Sequence, residues 1–483
     1  MQMSASSLIS RRAFLQSIII LAVLMILAGI LTRVTPAGRY ETTVVGGREV
    51  IVPGSYTYIE RPNYPIWRWL TAPLEVLWGP DGLTIIVIIV FLLMVGASFM
   101  VLDRMGVLKA ALGRILSAFR NRKYLLLMVV SLFFMATGAF FGIFEEVVPL
   151  VPLVVALSYY LGWDALVGLG MSILATNMGF SAAMTNPFTI GVAQKLAGLP
   201  LFSGLWLRAV IFVAIYIVFA IFIIRYARSV EKDMSRSLVY QEDMANREKY
   251  RSVDLEEFIS SHPAMGKAMA WLLIFLVLIF ALLIGASFIP VLSEFSLPLV
   301  GLLFFMGGVG AGVLAGQGWK AVGRSLWEGI IGIAPAIPLI LMAASVKLIV
   351  VNGAILDTIL NRAIALLPES NPFLAAVMIY VLALGLEFFI ASGSAKAFLL
   401  MPILLPLADL VGVTRQVAVT AYCFGDGFSN LAYPTNPVLL ICLGLTVVSY
   451  PRWLKWTLKL WVWVALVSLV FLGLGVAIRY GPF

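Results

Sequence analysis

Four ionisable side chains attract attention through their surroundings. Glu145, Glu146, Lys396 and Asp426 interrupt apolar runs at points rich in Gly, Pro or Ser. A charge at membrane depth costs at least ~2.5–3.5 kcal/mol on insertion scales, so such groups serve binding, ion transfer or pairing. The adjacent carboxylates Glu145 and Glu146, with Asp426, suit a cationic group, and Lys396 suits a carboxylate. The plainer alternative is an ion pair that ties two segments together. Glu387 fits a supporting role and a structural one equally well. Polar residues cluster beside the same breaks. Asn177, Ser181, Thr185 and Asn186 fall in one stretch, Ser392, Gly393 and Ser394 in another, and Ser429, Asn430, Thr435 and Asn436 in a third. A lone hydroxyl or amide in a membrane helix usually bonds to backbone, but grouped at breaks these residues are candidate substrate contacts. The oxygens of Thr176, Asn177, Ser429 and Asn430, with freed carbonyls, form a candidate Na⁺ site. No catalytic residue, cofactor motif or transition-metal ligand spacing is present.

The elements that carry these residues recur. At a constant offset of 250, Pro152 matches Pro402, Leu157 matches Leu407 and Gly162 matches Gly412. Thr185-Asn186-Pro187 matches Thr435-Asn436-Pro437, and Gly179–Ser181 recurs, shifted by two, at Gly427–Ser429. The stretch 103–123 is strongly basic, whereas its counterpart 353–373 also carries Asp357 and Glu369. Copies on opposite faces of a membrane would show that asymmetry, so an inverted repeat is the simplest account. Each copy begins with a re-entrant hairpin, 124–161 with its tip at Glu145 and 374–411 with its tip at Ser392-Gly393-Ser394. Each continues into a helix broken by Gly and Pro. Freed backbone groups are tolerated in lipid only where protein or a watery cavity satisfies them, so paired breaks point to a binding site. With the tips meeting at the midplane, Glu146 would face Lys396.

Composition sets the frame. The 483 residues are 62% hydrophobic and only 12% charged, with mean hydropathy +1.03. That excludes a soluble enzyme, a disordered chain and a nucleic-acid-binding module, and implies many spans of roughly 20 apolar residues each. The net charge of +9 fits basic cytoplasmic loops. Cys423 and Cys442 give no disulfide framework, and His262 cannot hold a metal alone. Runs at 13–31, 83–102, 206–224, 268–289, 298–316, 328–350 and 456–476, with the two broken helices, make nine spans plus two hairpins. Arg11 and Arg12 place the N-terminus in the cytoplasm, which leaves the C-terminus outside. The stretch 35–81 is an outer loop with a hairpin of Thr42–Val45 and Glu49–Val52 around Gly46-Gly47. The segment 225–267 is a cytoplasmic loop, and 103–123 an amphipathic surface helix. The expected organisation is 1–123 scaffold, 124–200 transport, 201–373 scaffold, 374–450 transport and 451–483 a final span.

The stretches "FEEVVPLVPLVVAL", "TNMGFSAAMTNPFTIG", "ASGSAKAFLLMPILLPLADLVG" and "GDGFSNLAYPTNP" resemble the YfcC family. That family is grouped with the C4-dicarboxylate anaerobic carriers of the DcuC type and is similar to ArcD-type basic amino-acid antiporters. The resemblance implies membership of the ion-transporter superfamily, with an all-α polytopic fold like the INDY-related carriers, an elevator-like transport domain and a homodimer. It implies a site at Glu145-Glu146, Ser392–Ser394 and the two broken helices. The Na⁺-coupled dicarboxylate carriers place Ser-Asn-Thr at their tips, where this chain has Phe144-Glu145-Glu146 and Ser394-Ala395-Lys396. The expectation is therefore a secondary transporter of small charged metabolites, an arginine/ornithine-type antiporter or symporter, coupled to Na⁺ or H⁺. A di- or monocarboxylate carrier is the alternative. A membrane-embedded enzyme and a channel fit poorly. Lack of a cleavable leader leads to the inner membrane of a prokaryote.

Overall fold

The computed structural model describes residues 11–45, 48–119, 122–251, 265–286, 289, 291–292, 295–365 and 371–481. Gly46-Gly47, Arg120, His262 and Glu369 lie outside these residues. The chain opens with α1 (Arg11–Val34) and a small β segment. There β2 (Thr42–Val45) pairs antiparallel with β3 (Arg48–Ile51), one residue earlier on the second strand than expected, and β1 (Gly38–Arg39) pairs with β4 (Thr57–Tyr58). Next come α2 (Trp67–Glu75), α3 (Gly82–Arg104) and α4 (Val107–Ala118). Gly106, at φ 78°, separates α3 from α4, so the basic stretch forms a helix of its own.

The first repeat copy starts at α5 (Lys123–Ala136), whose last turn widens into a π-helical stretch to Phe141. Gly142, at φ 68°, ends it; its missing side chain leaves room for Asn186, whose Oδ1 would lie 2.2 Å from a Cβ there. A 3₁₀ stretch, Glu145–Leu150, leads into α6 (Val151–Tyr160). The broken helix follows as α7 (Ala165–Leu169), a π-helical stretch, α8 (Ala175–Ala182), a gap, and then α9 (Val192–Leu196). In the second copy α17 (Pro372–Glu387) and α18 (Gly393–Leu410) precede a helix broken into α19 (Arg415–Ser429) and α20 (Pro437–Gly444). Around these lie α10 (Leu205–Lys232), α11 (Tyr240–Arg251), α12 (Met265–Ala286), α13 (Ser296–Leu314), α14 (Trp319–Ile333), α15 (Ala336–Asn352), α16 (Leu356–Ile364) and α21 (Tyr450–Ala477).

Among the described residues, ten helices are long and apolar enough to cross a membrane. They include Lys123–Phe141 and Gly393–Leu410, the hairpin arms of the sequence reading, and omit the pair α19–α20, whose halves are each too short.

Equivalent hydrogen bonds recur at the repeat offset. Trp163 N–H donates to Ser158 C=O at 2.9 Å, and Val413 N–H to Ala408 C=O at 2.8 Å. Gly162 and Gly412 turn the chain there at φ 87° and 75°. Asn186 Oδ1 accepts from Phe188 N at 2.9 Å and Thr189 N at 3.4 Å. Asn436 Oδ1 accepts from Val438 N at 2.9 Å and Leu439 N at 3.3 Å. Each break thus restarts with an Asn cap followed by Pro, whose missing N–H is not needed in a first turn. The turns at 162 and 412 sit at opposite ends of α10. Asp164 Oδ2 accepts from Tyr226 at 2.6 Å and Ser237 at 2.7 Å, near the end of that helix. Thr414 donates to the Tyr480 carbonyl at 2.6 Å, and the Tyr480 hydroxyl donates to the Gly204 carbonyl just before α10 begins.

The two broken helices form the centre. Every residue of 163–184 and of 416–431 is buried, so the interrupted backbone meets protein rather than lipid. They cross at Gly427, where a Cβ would approach Ser181 Cα to 2.6 Å. The outer helices α10, α12 and α21 turn apolar side chains such as Val213, Leu273 and Val470 outward.

Candidate functional site

The two tips meet in one cavity of about 170 Å³. Gly142, Phe144, Glu145 and Glu146 line it from the first copy, and Ala391, Ser392, Gly393 and Ser394 from the second. Phe180 and Asn430 enter from the breaks, Phe188 from the restarted first helix and Ser296 from α13. Phe144 stacks against Phe180 with ring centroids 5.5 Å apart, an apolar wall beside the carboxylates. Glu145 is exposed and Glu146 half-buried. Glu146 Oε1 accepts from Ser296 Oγ at 2.9 Å, and Oε2 from Phe144 N at 3.3 Å. Opposite them, the N-terminus of α18 opens onto the cavity. Ser392 caps it, its Oγ accepting from Ala395 N at 3.4 Å. Free N–H groups there favour an anion.

Lys396 does not face Glu146. It is wholly buried, and its Nζ donates to the Glu387 carboxylate and lies 2.8 Å from Asp426 Oδ1. This corrects the expected Glu146–Lys396 apposition and the role of Lys396 as the carboxylate contact. The end of α17, the start of α18 and the break in α19 converge behind the tip. A lysine buried there takes the two acids already within reach, because an unpaired charge would be far costlier. Asp426 is accordingly a counter-ion of Lys396 rather than part of the cavity wall, and Glu387 is its second partner.

The remaining expected residues hold the breaks. Thr185 Oγ1 donates to Phe140 C=O and Thr435 Oγ1 to Phe388 C=O, each at 2.8 Å. These bonds tie each break to the arm before it. Ser181, Ser429 and Thr176 donate to carbonyls of their own helices. Asn186 and Asn436 are the caps described above. Asn177 is fully buried, and neither of its amide atoms has a hydrogen-bond partner among the described residues. No group of three or more His, Cys, Asp or Glu there could hold a metal ion.

One participant escaped the sequence reading. Glu387, the last residue of an otherwise apolar helix, was expected in a supporting or a structural role, and it pairs with Lys396. Ser296 carried no signal, since only tertiary packing brings α13 beside Glu146.

The model of the DcuC family, the C4-dicarboxylate anaerobic carriers, matches residues 14–477. The chain belongs to this family. YfcC of Escherichia coli (strain K12), provisionally described as a basic amino acid antiporter, is 31% identical over 92% of this chain and 93% of its own length. An uncharacterized protein of Haemophilus influenzae is 25% identical over 86% of this chain and 79% of its own. Among solved structures, the chain is similar to the Alcanivorax borkumensis YdaH transporter, at TM-score 0.43 and 18% identity, over 97% of this chain and 100% of that one. It is also similar to Neisseria gonorrhoeae MtrF, of a class of antimetabolite efflux pumps, at TM-score 0.42 and 18% identity over 94% of each chain. As a DcuC-family member the protein is a multi-pass membrane transporter, not an enzyme.

Proposed function

We propose that the protein carries basic amino acids of the arginine/ornithine type by alternating access, as an antiporter or symporter. One observation supports this above all. The cavity contains Glu145 and Glu146 and no basic side chain among the described residues, because Lys396 is neutralised behind it. Two carboxylates then suit a substrate ammonium or guanidinium, and the α18 N-terminus suits its carboxylate. A zwitterion with a cationic tail matches both ends. The provisional description of YfcC agrees with this substrate class. Two carboxylates on the wall oppose a doubly anionic substrate, despite the C4-dicarboxylate name of the family.

The inverted repeat, with an elevator-like movement of 124–200 and 374–450, is part of this proposal. The placement of the equivalent turns at opposite ends of α10 supports it. Coupling to Na⁺ or H⁺ also belongs here. For Na⁺, the unpartnered Asn177 amide is the strongest acceptor candidate.

The test is arginine counterflow in proteoliposomes, with ornithine, lysine, succinate and fumarate as competitors, with and without Na⁺. Glu146→Gln is expected to slow arginine exchange at least tenfold while the purified protein keeps its melting temperature. Succinate uptake that survives Glu146→Gln, with no arginine exchange by the wild type, would replace this reading by a carboxylate carrier.

A further inference from the structure

A second cavity, of about 900 Å³, opens between α10 and α21 at the end of the molecule that carries α11. Its rim is cationic: Arg225 from α10, Arg236 from the 3₁₀ turn Met234–Arg236, and Lys455 and Lys459 from α21. All four are exposed. Lys455, Lys459 and Trp463 follow one another at intervals of four residues, on one face of their helix. Val218, Ile221, Phe222 and Arg225 share one face of α10 through spacings of three and four residues. The cavity therefore grades from charged to apolar over about 10 Å of helix, at 1.5 Å per residue. Its apolar part, with Leu458 and Trp463, runs onto the outward faces of α10 and α21, where Val213, Ile217, Val462 and Val470 are exposed.

Two of the acids nearby are engaged elsewhere. Glu231 pairs with Lys123 at 2.5 Å, and Glu242 pairs with Arg452. Asp233 lies 3.5 Å from the rim's Arg236 and also accepts from Ser235 N at 3.0 Å and Ser235 Oγ at 2.7 Å, so it offsets one of the four rim cations. Trp456 adds a second, independent feature. It lines the cavity and is buried, and its indole N–H has no hydrogen-bond partner among the described residues.

We propose that this cavity is a binding site for an anionic phospholipid, independent of the transported substrate. The phosphate lies among Arg225, Arg236, Lys455 and Lys459, and the acyl chains lie along Val218, Ile221 and Leu458. The buried Trp456 ring forms part of the cavity wall between the two lysines. Basic pockets between membrane helices recognise such headgroups by charge. The apolar floor distinguishes a lipid from a free anion, because inorganic phosphate gains nothing from it.

Native mass spectrometry of the detergent-purified full chain tests this, with phosphatidylglycerol, phosphatidylcholine and inorganic phosphate as probes. The wild type is expected to retain phosphatidylglycerol over phosphatidylcholine, with no displacement by millimolar phosphate. Removing three exposed cations in Arg225→Ala/Lys455→Ala/Lys459→Ala should weaken phosphatidylglycerol binding on the order of a hundredfold. Equal retention of both lipids, wild-type affinity in the triple variant, or full displacement by phosphate would overturn the proposal. So would a change from dimer to monomer in the triple variant without any bound lipid, which would make this face an interface between copies.

Discussion

Lys396 shows how much depends on one buried amine. It sits between Glu387 and Asp426 with no solvent contact. Removing one partner of such a group leaves the others uncompensated, at about 3–5 kcal/mol. Lys396→Ala should therefore lower the melting temperature sharply and reduce folded yield. The combined Lys396→Met/Glu387→Gln/Asp426→Asn variant removes all three charges and should recover most of that stability. Recovery without transport would mean that the triad takes part in the cycle; recovery of both would make it structural. Ser296 acts more lightly. Its hydroxyl donates to Glu146 at 2.9 Å, and Ser296→Ala should weaken substrate binding by about 0.5–1.5 kcal/mol, the usual net worth of one hydrogen bond. An unchanged substrate Kd would separate Ser296 from the site. Of these residues, Glu145, Glu146 and Ser392–Ser394 were legible as cavity residues, because charges and Gly-Ser steps inside apolar runs have few other uses.

At the scale of elements, the breaks are built rather than merely tolerated. Each restarts with Asn-Pro, and each Asn oxygen accepts two backbone N–H groups. Asn186→Ala and Asn436→Ala should each cost about 1 kcal/mol of stability, read as paired decreases in thermal unfolding temperature. Gly427 should tolerate far less: a side chain there meets Ser181 Cα, so Gly427→Val should abolish folded protein by forcing α8 and α19 apart. Folded, active Gly427→Val would show that this crossing is looser than its geometry. Helices, breaks and the β-hairpin were readable from the sequence since Gly, Pro and apolar length act locally. Ser181, Ser429, Thr185 and Thr435 donate to backbone carbonyls, a use that the sequence pattern cannot separate from substrate contact.

At the scale of the whole molecule, the segment after α10 folds back onto the first repeat copy. Asp243 of α11 is buried, and its carboxylate accepts from Tyr159 at 2.6 Å and from Ala165 N at 2.8 Å. Burial, followed by the nearby Asp164, pushes its pKa from 3.8 up to about 7. Raising the folded pKa of an acid means that its contribution is fully present below about pH 4 and is lost as pH rises through about 7. Docking of α11 should therefore loosen between about pH 4 and 7, seen as lower hydrogen-exchange protection in 240–251 relative to the intrinsic rate at each pH. Asp243→Asn should flatten that dependence; an unchanged pH profile in the variant would assign it to another group.

The sequence by itself determined the membrane character, most of the long apolar helices and the paired breaks, since hydropathy and backbone-breaking residues act over a turn or two of chain. Tertiary structure decided which charges face the cavity and which face each other. Lys396 is one helical turn from the tip and could have turned either way on local grounds. Its choice follows from the convergence of α17, α18 and α19, which brings two acids to one amine and leaves Glu145 and Glu146 on the cavity wall. Pairing of buried charges depends on distances between segments remote in sequence, and no periodicity encodes those distances.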